Sequence, residues 1–283
     1  MSLLAAAWLD SGPNQTGTSL LTGLGVNDRY GQVTVTQLLV NGLLDSVASG
    51  RMTSYGSDFH LILFSNGDYT GDFFQISIGH DESWTYWHTG PAQSALLIAS
   101  NNLGTTERRV SFHDTLHDEW INFVDQKLQG TSVTRDVDPL LTWQMFPTNN
   151  QWLDSAQVYL RIHQPLHVHM PWYWADYQAS MDYNVVLFID SNSHLRAWVA
   201  DNECWVEGGA KNGQVHSQLD PQVAAGMQPL EEQLNNMLMQ TDLLGPVKAV
   251  FYLPGRQLDA SASTTITGFQ GNTGDDVTIC VQT

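Results

Sequence analysis

At 283 residues the chain is long enough for one large domain or two ordinary ones, with a substantial core and no need of a disulfide framework. Twenty-nine acids against eleven bases give a formal charge of −18, which argues against nucleic acid as a partner and against anionic membrane surfaces, since phosphate binding depends on Lys and Arg. Only 14% of residues are charged, so the acidity comes from scarce bases, and the surface is expected to be rich in Asn, Gln, Ser, Thr and Gly.

The chain starts MSLLAAAWLDSG, a short apolar run with no basic residue before it. That is poor for a removable leader and too short to span a membrane. The expectation is a soluble protein without a transmembrane segment, cytoplasmic or exported by a leaderless route. Residues 1–58 read as turn-rich, with one predicted helix over Thr36–Val47 whose apolar stripe is Leu39, Leu43 and Leu44.

Residues 60–98 carry the most specific pattern in the chain. Leu61–Phe64 is a short apolar run suited to a buried strand, and Asn66-Gly67-Asp68 supplies the chemistry of a tight hairpin turn. Phe64, Tyr69 and Gly71 form an aromatic-xxxx-aromatic-x-Gly pattern, Phe74 and Ile76 alternate after it, and Ser94, Leu96 and Ile98 follow as a later strand. This segment resembles one Greek key motif of the βγ-crystallin family. The resemblance implies a hairpin folded over itself, Gly71 at positive φ, aromatic residues covering the fold, and Ser94–Ile98 as the closing strand. It covers about 40 residues, with no partner motif on either side. The family's calcium positions read Gly90, Pro91, Ala92, Gln93, Ser94 and Ala95 here. Gly and Pro bring no side-chain oxygen, so the resemblance implies a degenerate calcium site.

Asn101–Thr106 reads as a linker or long turn. Ser111 then opens a predicted helix with an acid, Asp114, three residues on, and Phe112, Leu116, Trp120, Phe123, Val124 and Leu128 make its stripe before Gly130 ends it. Residues 131–157 read as irregular. From Gln157 strands return. Val158, Leu160 and Ile162 alternate with polar neighbours, and Val185–Ile189 is a continuous apolar run. Asp190–Ser193 turns that run into a second strand at His194–Val199. Pro229 begins an amphipathic helix with Leu230, Leu234, Met237 and Leu238, and Ala249–Leu253 and Val277–Val281 close the chain as strands. The sum is an α+β, β-dominated fold. The domains are expected to be 1–104, with the crystallin-like module, and 105–283, a β-rich region with two or three amphipathic helices.

Two constellations can carry chemistry. In Ile162–Met170, His167 and His169 lie two apart, so on a strand they share a face about 7 Å apart and can begin a site for Zn²⁺ or a similar divalent ion. His163 or Asp176 would supply a third ligand. The same histidines also suit a plain polar strand face. The second constellation is Pro171–Tyr177, where Trp172, Tyr173 and Trp174 cluster after a proline. Exposed, these rings suit sugar stacking or a membrane interface; buried, they are core. His113 and His117, four apart on the predicted helix, read as its solvated shoulder. No G-x-S-x-G and no phosphate loop occurs. Cys204 and Cys280 stand far apart, open to pairing or to burial as free thiols.

The sequence therefore points to a non-enzymatic binding or interaction protein that recognises a glycan or a protein partner, in one version toxin-like. The ligand residues would be Trp172, Tyr173 and Trp174, with no certain cofactor. The first alternative is a metal-dependent hydrolase built on His167 and His169. The second is a membrane-inserting protein using a Ser/Thr-rich hairpin at residues 258–270. No pattern sets an oligomeric state.

Overall fold

A computed structural model describes residues 3–25, 30–69, 71–79, 83–87, 92–100, 105–145, 156–171, 173–240, 245–252 and 276–282. The fold is β-dominated α+β, with antiparallel sheets and four helices among the described residues. The chain divides into two compact units. The first comprises Met1–Arg108, Leu244–Gly274 and Thr278–Thr283, and the second comprises Arg109–Leu243 and Asp275–Val277. The longest described helix has 17 residues, and none is long and apolar enough to cross a membrane.

The first unit opens with β1 (Leu3–Gly12) and β2 (Thr16–Gly25), a hairpin where the sequence read as turns. Small residues hid it: Ala5, Ala6 and Ala7 are fully buried in β1, yet alanine carries little strand signal. Next come β3 (Tyr30–Val33) and α1 (Val35–Val40), then β4 (Ser49–Ser54), β5 (Asp58–Phe64), β6 (Phe73–Ile78), β7 (Ser83–Trp87), β8 (Ser94–Ser100) and β9 (Thr105–Ser111). One sheet has the order β2-β1-β4-β7, another β3-β8-β5-β6. Both feed one apolar cluster with every second residue, Ala5, Ala7 and Leu9 from β1 and Phe59, Leu61 and Leu63 from β5.

The helix expected at Thr36–Val47 is only six residues long. Thr34 and Gln37 close a reciprocal capping box at its start, the Gln37 N–H donating to Thr34 Oγ1 (3.2 Å) and the Thr34 N–H to Gln37 Oε1 (2.8 Å). Gly42 at φ 65° lets the chain leave the helix, and the Leu43 N–H donates back to the Leu38 carbonyl. The buried pair is Leu38 and Leu43, whereas Leu39 of the expected stripe is exposed.

In the segment with crystallin-like spacing, β5 and β6 pair from Phe64↔Phe73 to Phe59↔Ile78, and β8 flanks β5 on its other edge. The connection is no two-residue turn, because the chain between Phe64 and Phe73 folds down onto Ser94. Ser94 Oγ donates to the Asn66 carbonyl (2.6 Å) and accepts the Tyr69 N–H (3.1 Å). Tyr69 (φ 63°) and Gly71 (φ 82°) take the left-handed backbone this requires, and the Phe64 and Tyr69 rings meet edge to face at 6.4 Å. Gly90 and Pro91, at the family's calcium positions, lie outside the described residues, as do residues 258–270.

The second unit begins with α2 (Phe112–Leu128), which matches its expected span and ends at Gly130, φ 77°. β10 (Val133–Arg135), β11 (Leu140–Met145), β12 (Ala156–Val168), β13 (Tyr177–Ile189) and β14 (Leu195–Val206) follow. The sheet runs β10-β12-β13-β14, and β11 pairs with β12 further along the same edge as β10. Pro165 sits within β12, at the break between those two short strands. Its carbonyl accepts the Asp136 N–H there (3.1 Å), so the N–H it lacks would face the same break.

The helices α3 (Asn212–Ala225) and α4 (Met227–Gln240) pack against β14. The helix-facing side of β12 and β13 is the buried side, with Val158, Leu160, Ile162, Leu166 and Val168 on the former and Met181, Tyr183 and Val185 on the latter. Two polar groups on this side are satisfied. Trp120 Nε1 donates to Gln164 Oε1 (2.9 Å), and the Tyr183 hydroxyl donates to the Val223 carbonyl (2.8 Å). Cys204 faces this side as a free, buried thiol. Finally β15 (Val247–Tyr252) and β16 (Asp276–Gln282) form a three-stranded sheet in the order β15-β16-β9.

Candidate functional site

His167, His169, Asp176, Tyr173 and Trp174 lie at one end of the second unit's sheet, where β12 runs out. Even-numbered residues of β12 face the helices, and odd-numbered ones form the opposite, polar side. Arg161, His163 and His167 therefore share that polar side, but they do not form one group. His163 Nδ1 lies 2.9 Å from Asp182 Oδ1, its cross-strand partner, and Arg161 Nε donates to the same oxygen at 2.9 Å. Asp182 is 2% exposed, so a charged acceptor with two cationic or polar partners is held here as a satisfied structural group. His163 is committed to that group, four residues or roughly 13 Å along the strand from His167.

His167 and His169 do come together with Asp176. Their ligand-capable atoms all lie within 4.8 Å of one another, the sole such group of three or more among the described residues. The ring centroids are 4.6 Å apart, closer than the spacing of an extended strand, because β12 ends at Val168 and His169 begins the loop. His167 Nε2 is 2.9 Å from Asp176 Oδ2, and His169 Nδ1 is 3.6 Å from the same oxygen. The other carboxylate oxygen accepts the Met170 N–H at 2.7 Å, which ties the far end of the loop to its start. That N–H first, and the His167 ring next, hold the Asp176 carboxyl below its ordinary value.

On the other side of the same strand end lies a cleft of about 540 Å³. Pro171, Tyr173 and Trp174 of the loop line it, together with Lys211 and the α3 residues Gln214, Gln218 and Gln222, over Val133, Val168, Val215 and Leu219. The Trp174 N–H donates to the Pro171 carbonyl at 2.8 Å, a turn that brings two consecutive aromatic rings outward. Tyr173 is 64% exposed and Trp174 39%, so these two rings stand at the surface. Trp172 lies outside the described residues. Lys211 Nζ stands 5.5 Å from the Trp174 ring centroid, within cation–π range.

Sequence reasoning missed the α3 wall. Gln214, Gln218 and Gln222 recur every fourth residue, and Val215, Leu219 and Val223 recur one position later as the buried stripe. That double period is a helix signature, but Gly213 and Pro221 break the segment's helical appearance. Pro221 sits inside the helix all the same. His117, the helical shoulder, has its Nε2 3.7 Å from Asp138 Oδ1, apart from the strand histidines. No family model, curated protein or solved structure matches this chain.

Proposed function

We propose that the chain is a binding protein whose second unit takes a polyhydroxylated ligand, a glycan, in the cleft between the Pro171–Trp174 wall and α3. The observation that carries this reading is the pairing of exposed aromatic rings with a row of amides across one cleft. A sugar ring has an apolar C–H face that stacks on an indole or phenol, and a rim of hydroxyls that each donate and accept. A primary amide offers both functions in one side chain, and three on successive helical turns present them as a ladder. The cleft volume is that of a small-molecule site. One cation at its edge, on a chain of charge −18, suits a neutral or singly anionic sugar better than a polyanion.

The hydrolase reading has less support. His167 and His169 face away from the cleft across the end of β12, so a water held by them would not meet a ligand stacked on Trp174. The resemblance to a βγ-crystallin module draws support from the left-handed Gly71 and the folded loop on Ser94, and we keep it as an architectural proposal for residues 60–98.

A glycan array followed by calorimetry on the best sugar tests the function. Trp174→Ala is expected to weaken binding at least about tenfold, and Gln218→Ala severalfold, with unchanged circular dichroism. An array with no saturable hit, or a hit indifferent to both variants, would discard the glycan reading and leave a protein partner to be sought.

A further inference from the structure

We propose that His167, His169 and Asp176 form a site for a divalent transition ion of the zinc class, and that the ion locks the loop that walls the cleft. The metal site stands without the glycan reading; only its effect on a bound sugar rests on it.

The geometry is near that of a ligated site. A tetrahedral ion with bonds of 2.0–2.1 Å sets its ligand atoms about 3.4 Å apart. The separations of Asp176 Oδ2 from His167 Nε2 and from His169 Nδ1, 2.9 and 3.6 Å, straddle that edge. One ligand atom from each of the three residues lies within 4.8 Å of the other two, and the half-exposed His169 ring has room to rotate toward them.

The surroundings prepare both rings. His169 Nε2 lies 3.2 Å from Thr134 Oγ1; with the ring proton donated there, the Nδ1 lone pair is directed at the cluster. His167 Nδ1 lies 3.5 Å from Gln178 Nε2; exchanging the two ends of that amide sets Oε1 there instead, to accept the ring proton and free Nε2. Each ring thus has a partner on the nitrogen that the ion does not use, the arrangement that fixes tautomer and orientation in metal sites. A lone pair on His169 Nδ1 facing a carboxylate oxygen is repulsive until a cation stands between them. One ion relieves this, and the neutral His167 ring then carries its single proton on Nδ1 with Nε2 turned to the ion. All three side chains are partly exposed, so water fills the fourth position.

The consequence is mechanical. Asp176 already holds the Met170 N–H, and the loop between them carries Tyr173 and Trp174. Fixing Asp176 to two residues at the end of β12 pins both ends of the loop to the sheet. The aromatic wall then loses freedom before any ligand arrives, which lowers the entropy that binding must supply.

The test uses untagged full-length protein freed of metal by chelation, titrated with Zn²⁺ against a chromophoric chelator, with amide exchange followed on the peptide covering residues 169–176. One Zn²⁺ per chain is expected. His169→Ala and Asp176→Asn should weaken it at least about a hundredfold, and Thr134→Val, which keeps all three ligands, about tenfold. Zn²⁺ should slow exchange at Met170 about tenfold or more. Absence of saturable one-to-one binding, or binding undiminished by either ligand variant, overturns the site. Binding without protection of Met170 overturns the lock. Circular dichroism controls for folding. Should a ligand variant unfold, Thr134→Val decides the matter: a weakened ion supports the site, and an unchanged affinity overturns it. None of these readouts involves sugar, so failure of the glycan reading leaves them intact.

Discussion

Asp190 closes the β13–β14 hairpin with its Oδ1, which accepts the N–H groups of Asn192 (2.8 Å) and His194 (2.9 Å), while Oδ2 accepts Arg196 Nε at 3.0 Å. This is the Asx chemistry that made Asp190–Ser193 legible as a turn, and Ser193 takes φ 63° to complete it. The His194 N–H above all, helped by Arg196 and the Asn192 N–H, holds the carboxyl down at about 2, against the upward push of desolvation. The folded value lies below the ordinary carboxylate value of about 3.9. The stabilisation is therefore fully present above pH 4 and is lost as pH falls from about 4 through 2. Urea midpoints of the wild type and Asp190→Asn, followed from pH 6 to 2, are expected to converge in that window. Parallel curves would show that the carboxylate does not carry the turn. Cys204 illustrates the opposite case: burial first, then the nearby carboxylates of Asp220 and Asp182, pushes its thiol up to about 11, which makes it a poor nucleophile.

At the scale of elements, the junction of α3 and α4 shows how closely the helices and sheet are fitted. Gly226 caps α3 at φ −78°, an ordinary backbone that any residue adopts. Its constraint is space, because a Cβ there would run into the Tyr183 hydroxyl and the Val223 carbonyl it binds. Trp120 and Phe123 of α2 hold the Tyr183 ring at centroid distances of 5.9 and 6.5 Å, so it has little room to yield. Gly226→Ala is expected to destabilise the protein by about 1–3 kcal/mol, as overpacking does. Denaturant unfolding of the double variant with Tyr183→Phe should recover part of that loss. Full additivity of the two substitutions would refute steric overlap as the cause. The same fitting explains which elements were legible. α2 has an uninterrupted stripe and a terminal glycine, and both strands of the β13–β14 hairpin flank a turn with its own chemistry. By contrast β1 has three alanines in a row, and β10 and β11 are short edge strands that depend on β12 for their hydrogen bonds. Such strands have no local signal because their partner supplies the stability.

For the whole molecule, charge is the property with the widest reach. A chain of net charge −18, and a sequence isoelectric point near 4.6, repels polyanions over distances set by the Debye length. Fluorescence anisotropy with a labelled DNA duplex in low-salt buffer at pH 7.5 is expected to stay flat up to micromolar protein. A salt-sensitive rise would reveal a basic patch that the net charge conceals.

The amino-acid sequence by itself determined the quantities that are sums or local periods: the charge, the β-dominated composition of elements, the span of α2 and the hairpin turn at Asp190. Only the tertiary structure decided which of those residues meet. His163 went to Asp182 because that residue is its cross-strand partner, and Asp176 reached His167 because the loop after β12 doubles back. Gln214, Gln218 and Gln222 acquired a meaning only when α3 was set opposite Trp174. Register and loop closure bring together residues that are far apart in sequence. The free energy of those contacts belongs to pairs and triples of side chains, and no single residue's identity records it.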